Sequence, residues 1–392
     1  MSDARSIPKG YITELDGLRG IAILLVMVHR MYPRAGGASP WLVEAGWIGV
    51  DLFFVISGYL ITGILLDTRD DRNFFRNFYA RRVLRIFPLF YLLVGGVFLG
   101  FSLAGHAQFV REAGSPIWYL LHLGNIPEAF LGKDPPYWIA TVWSLAIEEQ
   151  FYWTFPLLVR FAKREHLARW LGVAAAVAVT TRVVTLIAMP DHERVQYLFT
   201  LCRLDTIAAG CALAVVVRSA WFVRARGVLV RPLAAISAVC AAIELAAHFD
   251  RTTIFGRTAG YSIVAVGFAA VVLLVVLKRG GRSTAWLRSQ VLAYPGKLCF
   301  GLYLLHRPAD TLVGGFATRL HLAPENIAWL PVKIGAALVL ATVSWRVLER
   351  PFLRLKSMFA SSRHPMGQPA QLPLVATRPA FEGRSRVATH PG

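Results

Sequence analysis

The stretch "TVWSLAIEEQFYWTFPLL", residues 141–158, decides what kind of chain this is. Leucines, aromatics and small residues fill it to nearly the ~20 apolar residues that a transmembrane helix needs. Two adjacent carboxylates, Glu148 and Glu149, interrupt it near the middle. Each ionised carboxylate at the centre of a bilayer helix costs roughly 2.5–3.5 kcal/mol on insertion scales. Such a helix needs a bundle around it that supplies partners or a wet cavity. The stretch therefore predicts a membrane-embedded helical fold with a polar interior.

The rest of the chain agrees. It has 392 residues, of which 56% are hydrophobic and only 17% charged; soluble domains carry about 25% charged residues. Mean hydropathy is +0.51. Apolar windows recur through most of the length, so residues 1–356 read as one polytopic all-α domain. A net charge of +19 in a soluble protein would suggest nucleic acid, but here the basic residues punctuate apolar runs in the positive-inside pattern. Cys202, Cys211, Cys240 and Cys299 all fall in apolar segments and form neither a CxxC pair nor a disulfide framework. No cleavable signal peptide is expected, because the first apolar run follows the charged "TELDGLRG" and no cleavage site comes after it. The sequence shows no repeat, nucleotide-binding loop or metal-ligand cluster.

Apolar spans fall near 17–33, 47–66, 83–104, 139–161, 168–189, 199–217, 229–248, 257–277, 296–316 and 329–352, ten in all. Ten spans with a cytoplasmic N-terminus put the arginine-rich loops 67–85, 160–169, 218–231 and 278–288 inside. The other loops hold one or two Lys or Arg each. An eleventh candidate, "SPIWYLLHLGNIPEAFL" (115–131), is short and contains two prolines. Letting it span would put every later basic loop outside, so it is expected to be re-entrant or interfacial. Both termini are then cytoplasmic, in a multi-pass protein of the cytoplasmic membrane. Residues 357–392 have no periodicity and many Pro, Gly and Ser, and are expected to form a disordered cytoplasmic tail.

Polar residues within the spans mark a site. Arg19 lies at the cytoplasmic end of the first span, and His29 is about 15 Å further along. Asp51 and Ser57 lie in the second span, Glu148 and Glu149 in the fourth, Arg203 and Asp205 in the sixth, and His306 in the ninth. The economical arrangement is one polar cavity, with Arg19, Arg81, Arg82 and Arg85 at its cytoplasmic side. Each residue also has a plainer reading. The arginines serve equally as positive-inside anchors. Ser57-Gly58 suits close helix packing. His29 and His306 suit hydrogen-bonded core positions, the latter beside a kink at Pro308. Arg203 and Asp205, two apart, face different sides of a helix, so each is expected to pair with another helix. Glu148 and Glu149 project about 100° apart, so only one points squarely into a given site.

The stretches "ELDGLRGIAILLVMVHR" (14–30), "GVDLFFVISGYLIT" (49–62), "FYARRVLRIFPLFY" (78–91), residues 141–158, "CRLDTIAAGCALA" (202–214), "GKLCFGLYLLHRP" (296–308) and "VLERPF" (347–352) together resemble the membrane-bound acyltransferase family 3. The resemblance covers residues 14–352. It implies a ten-helix membrane bundle that O-acylates extracytoplasmic glycans or glycosylated small molecules. Some members carry an extra extracytoplasmic hydrolase-like domain, which is not expected here. The resemblance makes Arg19 and the first-helix histidine an Arg/His pair, Arg82 and Arg85 an R-x-x-R element, and Ser57, Gly58 and Leu60 an S-G-x-L element. It makes Glu149 the carboxylate of the E-E-Q-F-Y stretch. One feature departs from the family: ten residues usually separate the Arg from the His. Here nine separate Arg19 from His29, and Arg30 holds the usual position. Either the helix adjusts locally, or the register varies in this subgroup, or His29 is not the catalytic histidine. Arginine cannot act as a base at physiological pH, which favours the second reading.

The chemistry that follows is acyl transfer from cytoplasmic acyl-CoA, a co-substrate, to a hydroxyl of a saccharide at or beyond the outer leaflet, acetyl being the expected group. His29 is the expected base or nucleophile, and Glu149 is expected in the reaction chamber. Arg82 and Arg85 suit CoA phosphates. Arg19, Ser57, Glu148, Arg203, Asp205 and His306 complete the candidate set as substrate contacts, Glu148 also as a brace between helices. No metal or other cofactor is expected. The rivals are a transporter or flippase of a lipid-linked saccharide and a receptor without chemistry. No inverted repeat or pair of broken helices supports the first.

Overall fold

The computed structural model describes residues 11–33 and 39–359, which form helices and turns with no strand among them. Ten helices form the frame. In chain order they are α1 (Thr13–Met31), α2 (Ile48–Thr68), α3 (Phe74–Leu103), α4 (Val142–Phe161), α5 (Leu167–Ala188), α6 (Leu204–Val216), α7 (Val230–Ala246), α8 (Tyr261–Leu277), α9 (Cys299–Arg319) and α10 (Trp329–Ser344). One lies on each expected span. Five helical stretches are long and apolar enough to cross a membrane by length and composition: Trp41–Thr68, Phe74–Leu103, Arg164–Ala188, Gly256–Leu277 and Trp329–Phe359. The other spans fall on helices that are short (α6, α7) or interrupted by polar groups such as Glu148 and Glu149 in α4 and His306, Arg307 and Asp310 in α9.

α2 is the hub. Apolar residues surround it on every side, as in a helix buried all round, and it packs on α1, α4, α6 and α8. Its closest neighbour is α6. A Cβ on Gly58 would lie 2.3 Å from the Ile207 carbonyl oxygen, and one on Gly210 2.0 Å from that of Val55. Only residues without a side chain let these two backbones touch. α1 begins with Glu14 and Asp16 and ends with Arg30, charges that complement its macrodipole.

The basic loops share one face. Arg69 donates to the Ala162 carbonyl (2.6 Å), Arg164 pairs with Asp70, Arg218 with Asp67, and Arg288 with Glu14. This basic face also holds the N-terminus of α1. Residues 115–131 form no long helix. Two short ones, Pro116–Leu120 and Asn125–Phe130, dip in to mid-helix level. Gln150 of α4 donates to the His122 carbonyl (2.9 Å) and to the Asn125 side-chain oxygen (2.9 Å). The His122 ring stacks 4.2 Å from that of Phe90 in α3. Beyond α10 the helical stretch continues through Arg350–Arg354 and Leu355–Phe359 and packs on α3. Residues 357–359 of the expected tail thus belong to the folded part; 360–392 lie outside the described residues.

Candidate functional site

An elongated cavity of about 230 Å³ runs through the centre of the bundle. Along α2 its wall extends from Val50 to Ile64, about 21 Å at 1.5 Å per residue. Arg19, Arg82 and Arg85 line it toward the basic face, and Ser144 and Tyr303 line the opposite end. Five helices build it, α1, α2, α3, α4 and α9, so no single stretch of sequence contains it.

Glu148 is the carboxylate of this cavity. Ser57 of α2 donates to its Oε1 (2.8 Å) and Tyr152, one turn along α4, to its Oε2 (3.2 Å). These two donors hold the carboxylate across the α2–α4 gap. Glu149 does not line the cavity. It is 2% exposed, and its Oε1 is buried with no hydrogen-bond partner among the described residues. The 100° step between neighbours sends Glu149 toward α3, where Arg82 and Tyr91 are its electrostatic neighbours. The structure thus puts Glu148 in the cavity and Glu149 between helices, the opposite of the expected placement.

Arg82 lies between the Phe78 ring (5.7 Å) and the Tyr152 ring (5.6 Å). Its Nε is buried and unbonded among the described residues. The aromatic clamp fixes the guanidinium without satisfying its donors, which leaves them for an anion. At the far end the Tyr303 hydroxyl lies 2.5 Å from Ser144 Oγ and donates to the Thr141 carbonyl (3.1 Å).

Neither histidine lines the cavity; both stand just past its far end. A Cβ on Gly46 would lie 2.7 Å from that of His29, and Gly46 is one turn before Val50. His29 Nδ1 bonds the Val43 carbonyl (3.0 Å), with Glu44 at 3.6 Å. His306 is one turn past Tyr303 and fully buried. Its Nδ1 bonds the Tyr303 carbonyl (2.8 Å), and its Nε2 has no partner among the described residues. A carbonyl accepts only from Nδ1–H, so Nε2 carries the free lone pair. Arg30 is an electrostatic neighbour of both His306 and Tyr303, so it faces α9 while His29 faces the 43–46 turn.

Arg203 and Asp205 lie outside the cavity. Arg203 pairs with Asp51, both fully buried, and sits 4.1 Å over the Tyr261 ring. Asp205 accepts two bonds from Arg182 (3.0 and 2.9 Å) and one from Ser262 (2.6 Å). Each is tied to a different helix, as their two-residue spacing predicts, and the network locks α2, α5, α6 and α8 together. Sequence reading missed Arg182, Tyr152, Ser144 and Tyr303. Arg182 stands alone in an apolar run, a usable signal of a buried partner. Tyr152 is four residues after Glu148, the spacing of side chains that meet on a helix. Nothing local marks Ser144 or Tyr303, whose contact joins residues 159 apart. Among the described residues no group of His, Cys, Asp and Glu could hold a metal ion.

Two O-acetyltransferases are similar to the chain. It is 28% identical over 368 residues to the peptidoglycan O-acetyltransferase OatA of Listeria monocytogenes, covering 87% of this chain and 56% of that protein. It is 27% identical over 361 residues to the O-acetyltransferase OatA of Staphylococcus aureus, covering 87% and 57%. The chain thus spans little more than half the length of these relatives. No solved structure matches it. A family model described as an acyltransferase domain matches residues 12–346, a stretch that contains every helix lining the cavity. On that match the chain belongs to the acyltransferase domain family.

Proposed function

We propose that the protein is an integral-membrane O-acyltransferase that moves an acyl group, acetyl by analogy with its relatives, from acyl-CoA to a saccharide hydroxyl across the bilayer. The observation that carries this reading is the cavity itself. It places guanidinium groups at one end, a hydrogen-bonded carboxylate midway and two histidines just past the other end. The positive-inside pattern makes the basic face cytoplasmic, with ten spans and both termini inside. Acyl-CoA then enters at Arg82 and Arg85, whose always-charged guanidinium groups suit its phosphates. Its thin acyl-bearing arm runs up the elongated cavity past Glu148, bringing the thioester to the level of Ser144 and Tyr303. His29 or His306 takes the proton of an acceptor hydroxyl arriving from the outer side. That oxygen attacks the thioester carbonyl, the C–S bond breaks, an ester forms, and the histidine returns its proton to the departing sulfur so that CoA leaves as the thiol.

Support for the acceptor class comes from the relative named for peptidoglycan, a polymer outside the cytoplasmic membrane. The test is transfer by purified full-length protein in liposomes, with labelled acetyl-CoA and soluble peptidoglycan fragments. A base-labile label on the glycan, with its mass raised by one acyl group, is the expected product. Unchanged glycan alongside intact, bound donor would count against transfer to this acceptor; no donor binding at all would count against the reading itself.

A further inference from the structure

The helical turns after α10 bring an unexpected lysine near Arg82 and Arg85, which line the basic end of the cavity. Residues 350–359 pack against the first half of α3, and the Arg76 guanidinium lies 5.6 Å over the Phe359 ring. This sets Lys356, half-buried, in the electrostatic neighbourhood of Arg85, Arg82 and Arg81, with Glu349 also near it. Glu349 accepts from Ser344 (3.2 Å), lies against Gly301 of α9 and is also an electrostatic neighbour of Arg85. Among the described residues no ion pair includes Arg81, Arg82, Arg85 or Lys356. Arg82 and Arg85 have carboxylate neighbours in Glu149, Glu148 and Glu349 but no ion pair with them, so their guanidinium donors, with the Lys356 amine beside them, are left for an anion.

We infer that Lys356 and the turns 350–359 form the outer wall of a phosphate site at the cytoplasmic mouth of the cavity, taking the phosphates of the acyl donor. The inference rests on the donor reading above and extends it to a segment outside the matched region 12–346. Lys356 comes from the far end of the chain, so it tightens donor binding without touching the reacting atoms. A phosphate-rich lipid headgroup offers the same chemistry, and the experiment separates the two.

Full-length wild type, K356Q, K356R and R82A would be placed in nanodiscs of zwitterionic lipid and titrated with CoA. K356M, which keeps the buried stem of the side chain, serves if K356Q does not fold. K356Q should weaken CoA binding about tenfold, the usual size for one charge-assisted hydrogen bond. K356R should stay within about threefold of wild type, since it keeps the charge. In transfer assays K356Q should raise the KM for acetyl-CoA while kcat holds, and leave the reaction of S-acetylpantetheine, which has no nucleotide phosphates, unchanged. A merely structural lysine would alter both donors alike. Wild-type CoA affinity in K356Q, with R82A weakened, would overturn this inference and leave the donor reading standing. Wild type that binds no CoA would overturn both. If a soluble phosphorylated lipid headgroup binds wild type and K356Q differently while CoA affinity is equal, the anion is a lipid headgroup and the inference fails.

Discussion

Replacing Glu148 with glutamine keeps its shape but removes the charge and one of the two acceptor oxygens, so Ser57 and Tyr152 can no longer both donate to it. The Ser57 bond, at 2.8 Å, is worth about 1.5–3 kcal/mol when its acceptor is ionised. The longer Tyr152 bond, at 3.2 Å, belongs with neutral bonds of about 0.5–1.5 kcal/mol. Together they hold the carboxylate with roughly 2–4 kcal/mol, which at 1.36 kcal/mol per tenfold is a factor of about 30 to 1,000. E148Q should therefore lower kcat by about that factor. Ser57→Ala should lower it about 10- to 100-fold, and Tyr152→Phe least. E149Q should fall well short of E148Q, because Glu149 lies outside the cavity. The assay is transfer of labelled acetyl groups in liposomes, with kcat and KM separated and CoA affinity measured independently. Equal losses in E148Q and E149Q, or full activity in E148Q, would refute the assignment of the chamber carboxylate.

Arg203→Met strands Asp51 at a fully buried position and should destabilise the detergent-solubilised protein by about 3–5 kcal/mol, read as a lowered melting temperature. Asp51→Leu combined with Arg203→Met should recover most of this and keep acyl transfer; a stable but inactive double variant would give the pair a functional role. Arg82→Ala and Arg85→Ala should each weaken CoA binding, with a smaller loss at high salt as phosphate contacts are screened. His29→Ala should lower transfer about 10²- to 10⁴-fold if it is the base, while Arg30→Ala is milder; full activity in His29→Ala would leave His306 in that role. Cysteine introduced at Arg251 should react with an impermeant thiol reagent from outside the cell, and cysteine at Arg226 or Arg282 should not. Labelling at Arg226 would invert the topology.

Much of this protein was legible in the sequence. Apolar length located a helix at each of ten positions, because hydrophobic run length is a local property. The arginine-rich loops foretold one basic face for the same reason. The spacing of Arg203 and Asp205 foretold two separate partners, since helical geometry sends residues two apart to different sides. The tertiary structure decided what depends on rotation about helix axes and on contacts between distant segments. Which of two adjacent glutamates enters the cavity turns on 100° of helix rotation, set by how α4 packs on α2 and α3 rather than by its own residues. The Ser144–Tyr303 contact and the approach of Lys356 to Arg82 join residues more than 150 apart in sequence. Neither leaves a local trace, because each exists only when the whole bundle has closed.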